Sequence, residues 1–293
     1  MAIRTRIASE AIRTAMGLGR ALPRSVALRL FTVGGALFQM AERGGSARTR
    51  RNLRLVYGDV EEADRIAGRV YRELGRNAVD LARLDRRGDE DPREIVEFAG
   101  IERVDEALRL GRGVIGVTAH LGNWELLSAC LGRRGIPLTV LASSLFDPRL
   151  DKRLVRLRER HGVHSLFRSD PGWAREAMRV LYRGEMIGLL MDLRSGSGGV
   201  ETRFLGRPAL TVAGPVRLAA ASGATVLPMA CWRVNGDRYR IEVDRPLVFP
   251  RRRPVGTELA EWTEGCSRAL EAYILRAPAQ WVWMHDRWGM ENA

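Results

Sequence analysis

Between residues 114 and 243, short apolar runs rich in Val, Ile, Leu and Thr alternate with longer segments of helical period. That alternation restricts the fold more than any other feature of the chain. Strand patterns are read at 114–118, 138–142, 187–191, 200–204 and 225–234, and helix patterns at 124–131, 150–161, 173–182 and 212–221. Successive strands joined through helices need crossover connections, which build mainly parallel sheets covered on both faces. The turn "VNGD" at Asn235-Gly236 predicts a hairpin returning along 238–243, an antiparallel element in a parallel frame. A last helix is expected over 258–275, with Leu259, Trp262, Cys266, Leu270 and Tyr273 along it. The reading is a single α/β domain over 55–293, a mixed, mainly parallel sheet flanked by helices, with no repeat or linker dividing it.

Residues 1–54 read differently. Ile3, Ile7, Ala11 and Ala15 recur at helical spacing, and Pro23 and Ser25 open a second helix carrying Leu30, Phe31, Val33, Leu37, Phe38 and Met40. A further helix is expected over 61–84, followed by a charged loop over 86–92. The first 54 residues hold eleven arginines against Glu10 and Glu42, a local net of +9 in a chain of net charge +13. Such a block suits an anionic membrane surface, an acidic protein or nucleic acid. Nucleic-acid binding has only charge behind it, without a basic–aromatic interleaving or a recognisable module. The longest uncharged run near the start, 30–41, is 12 residues, where a bilayer span needs roughly 20. An amphipathic extension lying on the membrane surface is therefore expected, with helices that merely cap the core as the alternative. Cys130, Cys231 and Cys266 are odd in number and far apart, which gives neither a disulfide framework nor zinc-ligand spacing and points to a reducing compartment.

The stretch "VTAHLGNWELL", 117–127, carries the chemistry. His120 falls just past the carboxyl end of a strand, where open α/β sheets bind ligands. Glu125 lies in the first turns of the helix that follows, and from there the two side chains are expected to converge, the acid fixing the imidazole tautomer and leaving the other nitrogen to accept a proton. Backbone N–H groups at the same helix start suit a developing oxyanion. A histidine base, an acid and such donors fit acyl transfer to a hydroxyl. Asn123 serves this motif or simply caps the helix, and Trp124 serves it or packs in the core. Other motifs fail: "GRGVIG" at 111–116 precedes and enters a strand instead of opening a helix, and no phosphate-binding loop or serine nucleophile elbow is present. His161, His164 and His285 show no ligand pattern and read as surface or core histidines.

"GVIGVTAHLGNWELL" resembles the signature block of the late lipid A acyltransferases, whose superfamily includes phosphatidylinositol-mannoside and glycerolipid acyltransferases. The segment from Met191 to Met229 and the ending "APAQWVWMHDRW" are similar to two further blocks of that family, in the same order. The resemblance implies a glycerolipid-acyltransferase-like fold and direct transfer, with no cofactor or metal, from a thioester on acyl carrier protein or coenzyme A to a glycolipid hydroxyl, most simply of a lipid A precursor. A phosphatidylinositol mannoside or a lysophospholipid is the alternative acceptor. It implies His120 as general base, Glu125 as its acid, Asn123, Asp192 and Arg168 as substrate-site residues, and action at the cytoplasmic face of the inner membrane. Arg194, also expected among the substrate-site residues, stands where many lipid A enzymes carry a second acid, a departure that bears on the acceptor.

Overall fold

The computed structural model describes residues 2–85, 91–145, 147–196 and 198–290. Four helices lead, α1 (Ala2–Ala21), α2 (Arg24–Ala41), α3 (Arg43–Tyr57) and α4 (Val60–Leu84). The alternating part follows as β1 (Val96–Ala99), α5 (Glu102–Arg109), β2 (Val114–Thr118), α6 (Trp124–Arg133), β3 (Leu138–Ala142), α7 (Pro148–Arg160), β4 (Val163–Phe167), α8 (Trp173–Tyr182) and β5 (Met186–Leu190). A hairpin of β6 (Val200–Phe204) and β7 (Arg207–Thr211) leads to α9 (Gly214–Ser222), β8 (Thr225–Arg233), β9 (Tyr239–Val243) and α10 (Glu258–Arg276). The sheet has seven strands in the order β1-β9-β8-β2-β5-β3-β4. All neighbours are parallel except β8 and β9, the pair joined by the Asn235-Gly236 turn. The α/β expectation therefore holds, including its antiparallel exception. Most of the charged loop expected at 86–92 lies outside the described residues.

The central strands are apolar on both faces because both faces are covered. Ile115, Val117, Ile187, Leu189 and Val226 join one core with residues of α4, α8, α9 and α10, including Val70, Val180, Val216 and Leu270. The alternate residues Val114, Leu138, Met186, Leu227 and Met229 join a second core against α5 and α6, with Val104, Ala107, Leu127 and Leu131. The period of two that separates these sets is the pleat of the sheet itself. Several elements escape a reading of single-sequence patterns. Strand β1 is four residues at a sheet edge, β4 carries His164 and Ser165 within five residues, and β7 contains Pro208 in a two-stranded hairpin. Helix α3 is masked by Gly44, Gly45 and five arginines, and it buries polar residues, Thr49 and Asn52, beside Leu53.

Helix α2 lies close on α4. A Cβ at Gly35 would strike the carbonyl oxygen of Tyr71, and one at Gly75 would strike the carbonyl oxygen of Phe31. Its buried side is Ala27, Leu28 and Gly35, yet its other side is also apolar. Val26, Leu30, Val33, Leu37 and Met40 stand between 48% and 76% exposed. Their spacing of three and four keeps them in one row. No helix among the described residues is long and apolar enough to cross a membrane.

The contact at Gly75 gives a stability test within one helix. Gly68, also in α4, has nothing within 4 Å of where a Cβ would sit. Gly68→Ala should stabilise the protein by about 0.5–1 kcal/mol through helix propensity. Gly75→Ala should instead cost about 1–3 kcal/mol, because α2 must move away. Denaturant melts of both variants check the opposite signs.

Candidate active site

Strands β2 and β5 pair in parallel with Thr118 opposite Leu190. Two residues past each of these ends stand His120 and Asp192, so the register brings the two side chains together. The backbone N–H of His120 donates to Asp192 Oδ2 at 2.9 Å, and the ring Nδ1 lies 2.9 Å from Oδ1. The indole N–H of Trp281 donates to Oδ2 at 2.7 Å. An ionised carboxylate only accepts hydrogen bonds, so Nδ1 of a neutral His120 carries the proton and Nε2 carries a lone pair. Asp192 is fully buried while His120 is 24% exposed. Burial alone would raise the Asp192 pKa, but the charge of a protonated His120 and the hydrogen bonds from His120 and Trp281 outweigh it and hold the pKa below the usual carboxylate range.

The turn from β2 into α6 is held from three sides. Gly122 has φ +57, and a Cβ there would strike the carbonyl oxygen of Cys231. Glycine is required at that left-handed, closely approached position. Gly122 N–H donates to the Gln280 carbonyl at 3.0 Å, Asn123 N–H to the Cys231 carbonyl at 3.0 Å, and Asn77 Nδ2 to the Gly122 carbonyl at 2.8 Å. Asn123 caps α6, its Oδ1 accepting from Leu126 N–H at 3.0 Å, while its buried Nδ2 has no acceptor among the described residues. The Trp124 and His120 rings meet in a T-shaped pair, with centroids 5.1 Å apart.

Glu125 does not reach His120, contrary to the convergence expected from their spacing. Both its oxygens are held by Arg158 of α7, through Nε at 2.9 Å and Nη2 at 2.6 Å. Both side chains are 7% exposed. The first turn of α6 points Glu125 toward α7 while His120 turns toward β5, so the acid facing the imidazole is Asp192. Arg168 continues past β4, three strand positions from β2 and hence about 14 Å across the sheet, with its backbone N–H on the Ala142 carbonyl. Its side chain has no partner among the described residues, and partial desolvation of the guanidinium lowers its pKa. Arg194 is exposed, bridges to Thr211 through its backbone and lies against Gly289. Neither arginine touches His120.

Three residues of the site were not singled out from the sequence. Trp281 and His285 both lie in "APAQWVWMHDRW", so their block was visible although their partner was not. His285 is exposed, in keeping with its reading as a surface histidine, and its ring is 6.2 Å from that of His120, centroid to centroid, which the sequence did not show. Partial desolvation, and then the charge of His120, hold His285 below the usual histidine range. Arg158, third of the three, sits among six cationic residues of α7 and nothing local distinguishes it.

Clefts open on both sides of Trp124. One, about 500 Å³ with its mouth, runs under the sheet between α6, α7 and the strand residues Gly116, Thr118, Val140, Met186, Gly188 and Leu190. All have the parity of His120 and so share its face of the sheet. Gly116 pairs with Gly188 across β2 and β5, which removes side chains from the middle of that face. The other cleft, about 750 Å³, lies between α4, Trp124 and Trp281.

Residues 7–289 match the family model for bacterial lipid A biosynthesis acyltransferase. A phosphatidylinositol mannoside acyltransferase of Mycolicibacterium smegmatis is 28% identical over 282 residues, covering 92% of this chain and 88% of that protein. A protein of the same description from Mycobacterium tuberculosis H37Rv is 30% identical over 287 residues, covering 92% and 84%. The lipid A biosynthesis palmitoleoyltransferase of Escherichia coli K12 is 24% identical over 275 residues, covering 91% and 86%.

The buried Glu125–Arg158 pair predicts a stability pattern distinct from catalysis. Arg158→Met strands a buried carboxylate and should cost about 3–5 kcal/mol, whereas adding Glu125→Leu to it should restore most of that loss. Denaturant melts of the single and double variants test this, and equal stability of the single variant and the parent would contradict the pairing.

Proposed function

Because the chain belongs to the bacterial lipid A biosynthesis acyltransferase family, and is thus an acyltransferase, we propose that it moves a fatty acyl group from a thioester to a glycolipid hydroxyl with His120 as the base. The contact between His120 Nδ1 and Asp192 supports this most strongly. With the Nδ1 proton directed at Asp192, Nε2 accepts the proton of the acceptor hydroxyl as its oxygen attacks the thioester carbonyl. The tetrahedral oxyanion forms near the start of α6, whose partial positive charge favours it. Its collapse expels the thiolate, the imidazolium returns the proton to that sulfur, and an ester and a free thiol leave. Asp192 stabilises the imidazolium and keeps the ring in the productive tautomer.

The sub-sheet cleft is assigned to the donor's acyl chain, since it is apolar and begins at the same face as His120. Its carrier is acyl carrier protein or coenzyme A. The acceptor is a membrane glycolipid. Identity of 28–30% to the mannoside enzymes against 24–25% to the lipid A enzymes favours a mannosylated phosphoinositide over a lipid A precursor. Lipid mass spectrometry of a strain lacking the protein distinguishes the two. The exposed apolar row of α2 and the arginines around it suit docking on an anionic bilayer surface.

His120→Ala should keep the fold and lower turnover by roughly 10²–10⁴-fold. Asp192→Asn should cost comparably, because an amide can donate to Nδ1 and favours the wrong tautomer. Acting as a unit, the two changes together should be little worse than either alone. Steady-state acyl transfer, with circular dichroism to confirm folding, checks this. Near-normal turnover in His120→Ala refutes the mechanism.

A further inference from the structure

The cleft beside Trp281 does not end at the catalytic turn. At its outer end Leu74 and Ala78 of α4 line both it and a third depression, of about 1040 Å³ with its mouth, on the surface shared by α1, α2 and α4. That depression is lined by Leu18, Leu30, Val33, Phe38 and other apolar side chains, and no charged side chain among the described residues lines it. At its inner end the path reaches Asn123 and Trp124, and Trp124 stands against the His120 ring. Two mainly apolar depressions that share Leu74 and Ala78 thus lie in succession between the exposed side of α2 and the turn that carries His120.

We infer that together they form a groove that holds one hydrocarbon chain of the membrane-embedded acceptor, an inference that rests on the acyl-transfer reading above. Three observations identify the occupant. The mouth opens among the exposed apolar residues of α2, including Leu30, Val33 and Leu37, so a chain passes from bilayer to groove without crossing water. A separate cleft lies on the other side of Trp124, under the sheet, and its assignment to the donor's chain above leaves this groove to the second substrate. At the inner end Asn123 Nδ2 is the buried donor that lacks an acceptor, and an ester or amide carbonyl at the head of the chain supplies one. A lipid held this way keeps its tail in apolar surroundings while its polar head, which bears the hydroxyl, rises beside His120.

Gly34 gives a clean obstruction. It lines the outer depression, and a Cβ there would meet nothing within 4 Å. The Cβ of Gly34→Phe therefore displaces no backbone, and its ring adds apolar bulk at the outer depression. The probe is a phospholipid with a photoreactive diazirine on one acyl chain, in vesicles of phosphatidylcholine and phosphatidylglycerol, irradiated with the full-length protein. Parent protein should cross-link at the inner segment 122–124 as well as along the outer row of α2. In Gly34→Phe the inner cross-links should fall at least about fivefold while vesicle binding and the outer cross-links persist. Cross-links confined to the outer row in the parent protein would show membrane contact alone and overturn the groove. Inner cross-links that are unchanged in Gly34→Phe would overturn it as well. Inner cross-links in a protein that transfers no acyl group would refute the enzymatic reading and still establish a lipid-chain site.

Discussion

A fully buried carboxylate remains ionised only if donors replace the water it has lost. Asp192 takes three: the His120 amide, the His120 ring and the Trp281 indole. They come from two different features of the fold. The amide and ring depend on the register of β2 with β5, and the indole depends on the C-terminal segment crossing back over the sheet, where Leu121 bridges to Trp281. The site therefore cannot assemble before the sheet centre and the chain end have both docked. A β5 shifted by one residue would turn Asp192 to the opposite face and leave His120 without its partner.

The same economy explains the catalytic turn. Gly122, Asn123 and their carbonyl and amide partners on Cys231, Gln280 and Asn77 fix the backbone on which His120 stands. Helix α3, although rich in arginine, contributes to this rigidity from behind, because Asn52 Nδ2 donates to the carbonyls of Trp283 and His285 at 2.8 and 2.9 Å. The N-terminal helices thus combine two physical tasks. One side of α2 packs on α4 through glycines, and the other is exposed and apolar.

Much of this was legible beforehand. The strand and helix limits around His120, the hairpin at Asn235-Gly236 and the long helices α2 and α4 all follow from local periodicity and turn chemistry. The pairing of His120 was not. Spacing along the chain favours Glu125, five residues away, but tertiary contact decides the matter: Arg158, 33 residues further on, claims both oxygens of Glu125. The alternative was visible in part, since "GVTAH" and "GLLMD" each place a titratable residue just past an apolar run. Only the register between those runs, a long-range property, makes the two neighbours. Edge strands β1 and β4 were missed for a related reason, being too short and too polar to stand out without the strands they pair with.

The central claim is that Asp192, and not Glu125, sets the state of the His120 ring. Nitrogen-15 NMR of the histidine rings tests it most directly, with His120 assigned by the loss of its signals in His120→Gln. With the ring neutral, the account predicts a proton on Nδ1 and a bare Nε2, a pattern disturbed by Asp192→Asn and untouched by Glu125→Gln. A ring protonated on Nε2, or one that responds to Glu125→Gln and ignores Asp192→Asn, would contradict it.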